Sequence, residues 1–246
     1  MNFIGIIPAR YASTRFEGKP LCRIDGRTMI ECTYSQVAKV KEFAMVVVAT
    51  DDARIYDAVV AFGGRAVMTS PSHCSGTDRV AEAFQSLGYP SENTVIVNIQ
   101  GDEPFIKPEQ IQELTGCFSR SDIEIATLIK KINSQEVLHN PNVVKVVISN
   151  ENKALYFSRY PIPFLRNAAW ESVDFYKHIG IYAYRADVLN DLVKIPPSDL
   201  EKAELLEQLR WLQAGYAIYA QQTQYEASRG IDTPEDLIAL NEELSK

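Results

Sequence analysis

The stretch FIGIIPARYASTRFEGKPL, residues 3–21, decides how the chain is read. It starts as an apolar run suited to a strand covered on both faces, then opens at Pro8 onto a loop carrying Arg10, Arg15 and Lys19 among small and hydroxyl residues. Two later runs share the apolar character: AMVVVA at 44–49 and TVIVNI at 94–99. Between the runs the period changes. Ile30, Tyr34, Val37 and Ala38 recur at helical spacing, as do Ile55, Val59 and Phe62, and then Val80, Phe84 and Leu87. Gly63-Gly64 and Gly88 fall near the ends of the last two. A helix wherever a crossover is needed predicts a parallel, doubly wound α/β sheet.

The second half changes character. VVKVVIS and KALYFSR flank Asn150-Glu151-Asn152 and read as a hairpin, and FYKHIGIYAYR is another strand-like run. Pro161 and Pro163 break the chain between them. A helix is expected from about Leu200, with Leu205, Leu209 and Leu212 as its apolar stripe. A last helix starts at Thr233-Pro234-Glu235, with threonine as N-cap and proline in the first turn. At 246 residues the chain has room for one large α/β domain or two smaller ones. No linker composition separates two parts, so a single domain over 1–246 is expected, its β-rich part extending the first sheet or lying over its edge.

A net charge of −7 repels polyanions, which argues against nucleic-acid binding and means that any phosphate site must be a local concentration of cations. The N-terminal MNFIGIIPAR is too soon interrupted to be a signal peptide, and no apolar run approaches membrane-spanning length, so a soluble cytoplasmic protein is expected. Cys22, Cys32, Cys74 and Cys117 form no Cys-x-x-Cys pair and read as buried or incidental thiols.

In an open parallel sheet, ligands bind beyond the carboxyl ends of the strands, so the segments to compare are the first loop, TDD at 50–52 and QGDEP at 100–104. The first loop offers two guanidiniums for forked contacts and a lysine as a compact charge, which suits a polyphosphate. Neither a Walker A loop nor a Gly-x-Gly-x-x-Gly motif occurs, which weakens the usual P-loop and dinucleotide readings. Asp102, directly after a hydrophobic strand, suits a magnesium ion that bridges phosphates; Asp232 is either a second ligand or a residue preceding a capped helix. HCSGTDRVAE at 73–82 opens a helix whose Ser75, Gly76 and Thr77 serve either a nucleotide or capping alone. His178 is a lone strand histidine, structural or functional, and Glu207 and Gln208 lie beside the leucine stripe of the expected late helix.

These motifs together resemble the bacterial cytidylyltransferases that activate 3-deoxy-D-manno-octulosonate, the CMP-Kdo synthetases. The resemblance runs nearly end to end through IPARYASTR with GKPL, VATDD, HCSGTDRVAE, VNIQGDEP, NPNVVKVV, ALYFSR with PIP, YKHIGIYAYR, LEQLRWL and GIDTPEDL. It implies a Rossmann-like nucleotidyltransferase fold that takes CTP and a sugar acid, with a substrate and dimerisation lobe at about 140–225 and Mg2+ as cofactor. On it, Ala9, Arg10, Ser13, Arg15 and Lys19 belong to the triphosphate loop, with Arg10, Lys19 and Asp102 catalytic. Thr50, Asp51, Ser75, Gly76, Thr77, Arg79 and Gln100 surround the cytidine. Asp102 and Asp232 match the magnesium aspartates, while Arg159, His178, Tyr182, Glu207 and Gln208 match sugar-binding positions. The family is typically homodimeric and feeds lipopolysaccharide synthesis. One departure is that the proline usual before GKPL is replaced here by Phe16-Glu17, which puts a carboxylate near Lys19.

Overall fold

The computed structural model of the chain describes residues 1–12, 16–226, 231 and 233–244. Two compact units divide it: Met1–Gln112 with Ala227–Lys246, and Glu113–Glu226.

The first unit opens with strand β1 (Asn2–Ala9), followed by the two-residue strands β2 (Arg23–Ile24) and β3 (Arg27–Thr28), helix α1 (Met29–Val37) and strand β4 (Phe43–Thr50). Helix α2 (Ala53–Ala61), strand β5 (Ala66–Met68), helix α3 (Gly76–Ser86) and strand β6 (Thr94–Asn98) complete its alternation. Within this unit the sheet order is β6-β1-β4-β5, with every neighbouring pair parallel. The three apolar runs are thus β1, β4 and β6, and the three helical periodicities are α1, α2 and α3. The short β2, β3 and β5 have no counterpart among the sequence expectations, because two or three residues are too few to show a period. Ile4, Ile6, Ile7, Val95, Ile96 and Val97 are fully buried, as strands covered on both faces require. Thr28, Asp52 and Ser75 cap α1, α2 and α3 by accepting backbone N–H donors from Glu31, Arg54 and Asp78.

Helix α4 (Pro108–Gly116) leads into the second unit, which holds strand β7 (Ile125–Lys131), helix α5 (Gln135–His139), and strands β8 (Lys145–Ile148) and β9 (Ala154–Ser158). Strand β10 (Tyr176–Arg185), helices α6 (Ala186–Leu192), α7 (Asp199–Glu204) and α8 (Gln208–Gln213), and strand β11 (Ile218–Gln222) follow. β8 and β9 form the expected hairpin, with Asn152 at φ 58° in its turn. β10 is antiparallel to both β7 and β8, and β11 runs parallel to β7. The core beneath them includes Trp211, set edge-on to Tyr182 and Tyr184 at centroid distances of 5.2 and 5.5 Å. Lys145 is buried in the middle of the apolar VVKVV run. Its ammonium donates to the carbonyls of Asn140 and Val143 at 2.9 and 2.6 Å and to that of Arg159, so all three of its protons are used.

The single late helix expected from Leu200 is two helices. A capping box between Ser198 and Glu201 starts α7, and Leu205, at φ 53° and 77% exposed, ends it in the left-handed conformation. The residues that face inward are Leu206, Leu209 and Trp211. Apolar spacing alone does not register a one-residue break of this kind.

Helix α9 (Pro234–Leu244) returns to the first unit. Thr233 accepts from the Asp236 amide at 3.2 Å while Asp236 accepts from the Thr233 amide at 3.0 Å, so the expected cap is present. Leu240 and Ile231 pack with Ile24, Met29 and Cys32. Cys32 and Cys117 are buried as expected, whereas Cys74 is exposed. None of the described helices is long and apolar enough to cross a membrane.

The break at Leu205 is testable. Leu205→Gly relieves a left-handed side chain that has little packing to lose, so urea denaturation should show stability unchanged or raised by up to about 1 kcal/mol. In a continuous helix the same change would cost about 1 kcal/mol.

Candidate nucleotide and sugar-acid sites

In the first unit the chain steps outward from β1 to β4 and β5, then crosses back to β6 on the other side of β1. The carboxyl ends of β1 and β6 therefore flank the point where the winding reverses, the place where doubly wound sheets open a crevice. The two ends lie very close. Ile99 N–H donates to Ile6 O at 3.1 Å, and a Cβ on Gly101 would come within 2.9 Å of the Pro8 carbonyl oxygen, so only glycine fits there.

A cavity of about 180 Å3 opens at this point, lined by residues of the β1 end (Pro8, Ala9 and Arg10), of the α3 N-terminus (Ser75, Gly76 and Arg79), by His73 and Cys74, and by Gln100. Six of the twelve residues assigned to the nucleotide thus share one wall: Ala9, Arg10, Ser75, Gly76, Arg79 and Gln100. Gln100 is oriented by donating its amide to Asn98 Oδ1 at 3.3 Å. Arg79 is almost fully buried, and its guanidinium donates to Thr69 Oγ1 at 2.7 Å and to Asp51 Oδ2 at 2.9 Å. Asp51 therefore serves the site through Arg79, holding a charged donor rigidly at the cavity wall. Thr50 and Thr77 are buried and do not line the cavity. Thr50 instead bonds locally, its carbonyl accepting from the Thr69 amide at 2.8 Å and its hydroxyl from the Asp52 amide at 3.3 Å.

The first loop closes on itself. Gly18, left-handed at φ 69°, donates its N–H to Tyr11 O at 2.9 Å, and the Arg54 guanidinium lies 3.3 Å from the centroid of the Tyr11 ring. Closure carries Lys19 to Asp102, with Nζ 2.6 Å from Oδ2; the lysine is 12% exposed and the carboxylate 44%. Sequence positions 19 and 102 thus form one charged pair, joining the loop after β1 to the loop after β6. Glu17 is exposed, and its field is felt at Arg54. Ser13, Arg15 and Asp232 lie outside the described residues.

Among the described residues, Asp102 has the chemistry expected of a magnesium ligand. Its half-exposed carboxylate is a hard oxygen donor, and magnesium typically takes one or two protein carboxylates with phosphates and water, so this residue fits such an ion. Among the described residues no cluster of three or more His, Cys, Asp or Glu side chains forms a ready-made metal cage.

The five positions that the resemblance assigns to the sugar all fall in the second unit and divide into two groups. His178 and Tyr182 stand on β10 with ring centroids 5.3 Å apart, and His178 Nε2 is hydrogen-bonded to Thr127 Oγ1 at 2.9 Å. Burial against Phe157 and Tyr182 pushes the His178 pKa down to about 3. Burial, followed by the Tyr184 phenol and the Glu207 carboxylate, raises that of Tyr182. Glu207 thus lies within electrostatic reach of Tyr182, and Gln208, which begins α8, is buried. Arg159 is occupied elsewhere: its Nε donates to Glu204 O at 2.7 Å and Nη1 to Pro141 O at 3.2 Å, so it ties down the C-terminal end of α7. It lines a larger cavity of about 760 Å3 with Tyr160, Phe164, Trp170 and Phe175, which the other four do not line. The sequence reading missed Thr127, Lys145, His73 and Glu82. The first two carried no signal, being a polar residue and a lysine within strand patterns; the last two bracket the quoted HCSGTDRVAE motif.

Comparison with known proteins agrees with this geometry. A family model described as cytidylyltransferase matches residues 4–223. The 3-deoxy-manno-octulosonate cytidylyltransferase of Cytophaga hutchinsonii is 53% identical over 98% of this chain and 96% of its own length, and that of Parabacteroides distasonis is 55% identical over 96% of each. Among solved structures, a CMP:2-keto-3-deoxy-manno-octonic acid synthetase complexed with CTP superposes with a TM-score of 0.92 at 42% identity, covering 100% of this chain and 99% of its own. With its parallel β6-β1-β4-β5 sheet and its cation-lined crevice at the reversal point, the chain belongs to the cytidylyltransferase family.

Proposed function

We infer that the chain is a 3-deoxy-manno-octulosonate cytidylyltransferase, transferring CMP from CTP to the anomeric hydroxyl of the sugar acid with release of pyrophosphate. The observation that carries this reading is the Lys19–Asp102 pair beside a cavity lined by Arg10, Arg79 and Gln100: it unites a phosphate-binding cation, a metal-binding carboxylate and a base-sized recess in one unit. The high full-length identity to enzymes of that name supports the sugar assignment.

In the transfer, the sugar hydroxyl attacks the α-phosphorus in line and gives up its proton to solvent, the bond to the oxygen bridging the α- and β-phosphates breaks, and pyrophosphate leaves with its electron pair. Such transfer depends on positioning and charge neutralisation more than on covalent help from the protein. Lys19 and Arg10 offset phosphate charge, and Lys19 is positioned by Asp102 to do so. Magnesium, when bound at Asp102 together with Asp232, would supply charge neutralisation and orientation of the phosphates. The sugar acid falls to Arg159, His178, Tyr182, Glu207 and Gln208. A neutral His178 acts there as a hydrogen-bonding group and not as a cation. The reading also entails a cytoplasmic enzyme that provides an activated sugar for lipopolysaccharide assembly. It works as a homodimer, to which the exposed Tyr160 and Phe164 of the second unit would contribute apolar contact.

Pyrophosphate release with magnesium and CTP should require the octulosonate, with little release on sialic acid or without sugar; release that ignores the sugar overturns the assignment. Lys19→Ala and Asp102→Asn should each lower kcat by about 100-fold or more with unfolding midpoints near that of the wild type, and retained turnover would remove the residue from the mechanism. For His178, the folded pKa of about 3 lies below the ordinary 6.5. Between those values the unfolded chain takes up a proton that the folded chain refuses, so acidification through that window lowers stability. Imidazole NMR, assigned with His178→Gln, should show a neutral ring from pH 7.5 down to about 4.5, and a titration near 6.5 would contradict the burial. Sedimentation equilibrium should give twice the 27.6 kDa chain mass, and a monomer at micromolar concentration would refute the dimer.

A further inference from the structure

Glu82, on α3, joins two residues of the loop that leads into that helix. One carboxylate oxygen, Oε2, accepts the Ser70 backbone N–H at 2.9 Å and is also hydrogen-bonded to His73 Nε2. The Ser70 amide first, and the imidazole second, hold Glu82 below the usual carboxylate range. An ionised carboxylate only accepts, so the proton in that hydrogen bond sits on His73 Nε2. In the neutral ring the other nitrogen, Nδ1, is then a bare acceptor. Nδ1 makes no hydrogen bond among the described residues, and the imidazole, 20% exposed, lines the same cavity as Ser75, Gly76, Arg79 and Gln100.

At about 180 Å3 that cavity suits a single planar base better than a whole nucleotide, and Lys19, the phosphate cation, does not line it. Cytosine presents an amino donor at its 4-position, where uracil presents a carbonyl acceptor. A fixed acceptor facing that edge attracts one base and repels the other. We propose that His73, with its tautomer set by Glu82, accepts a hydrogen bond from the 4-amino group of cytosine and thereby selects CTP over UTP. His73 is thus a specificity-determining residue and Glu82 a positioning residue. The inference rests on the cytidylyltransferase reading for the identity of the ligand, and it deepens that reading by naming the group that chooses the base.

The test compares CTP with UTP in two assays: calorimetric nucleotide binding without sugar, and pyrophosphate release with the octulosonate. His73→Ala should reduce the CTP-to-UTP ratio of affinities and of kcat/KM by about 10- to 100-fold, mostly through KM for CTP, with kcat changing little. Glu82→Leu tests the positioning role and Glu82→Gln controls it. Leucine removes the oxygen that takes the Nε2 proton, so the ring is free to carry that proton on Nδ1 as a donor, and the CTP-to-UTP ratio should fall while kcat changes little. Glutamine, with its amide oxygen in the place of Oε2, still accepts from both Ser70 and His73, so its ratio should stay near that of the wild type. Equal weakening of CTP and UTP in His73→Ala and Glu82→Leu, a ratio unchanged in both, or a wild-type chain that binds the two nucleotides equally would each overturn the proposal. A chain that prefers CTP through His73 in the binding assay, yet transfers nothing to the octulosonate, would support the proposal while refuting the sugar assignment.

Discussion

The site in the first unit depends on one constraint, the contact between the carboxyl ends of β1 and β6. Gly101 brings its backbone against the Pro8 carbonyl, and Ile99 donates to Ile6, so the loops leaving both strands must diverge from a shared origin. Everything that gives the crevice its chemistry follows from that divergence. One loop carries Arg10 and Lys19, the other Gln100 and Asp102, and the capped start of α3 supplies Ser75 and Arg79 as the third wall. A side chain at position 101 would push the two strands apart and separate the cations from the carboxylate.

The electrostatics follow the same plan. A chain with a net charge of −7 attracts a nucleoside triphosphate only where cations are gathered and held. The structure gathers them by pairing: Arg79 is fixed by Asp51 and Thr69, and Lys19 by Asp102. Each pair leaves a charged donor oriented in advance, which lowers the cost of ordering it around a ligand. In the second unit the solution is different. Lys145 is satisfied by three carbonyls, and Arg159 is spent on the end of α7 and the Pro141 carbonyl, so charge there secures the backbone.

Much of this was legible in the sequence, for identifiable reasons. β1, β4 and β6 were visible because strands buried on both faces must be continuously apolar, and α1 to α3 because each buries one stripe. Gln100 and Asp102 were visible because polar groups directly after such strands stand at the ligand edge, and Ser75 because it opens a helix. What escaped notice depends on contacts distant in sequence or on a single torsion. The pairing of Asp51 with Arg79 spans 28 positions, and the break at Leu205 is one residue in the left-handed region. Arg159 was named only through the family resemblance, and its engagement with the end of α7 was not legible, because that requires knowing where α7 stops. The His73–Glu82 bond escaped because the motif was read for Ser75, Gly76 and Thr77 at its helix start, as nucleotide contacts or caps, and the bond joins residues on either side of them.

The central claim is that the nucleotide occupies the crevice between the β1 and β6 ends. A crystal structure of the chain with CTP and magnesium tests this most directly. The account predicts a cytosine ring against His73, Ser75 and Gln100, with phosphate oxygens within hydrogen-bonding distance of Arg10 and Lys19. A nucleotide bound elsewhere, or one whose phosphates fill the cavity beside Arg79 while the base points away from it, would contradict the account.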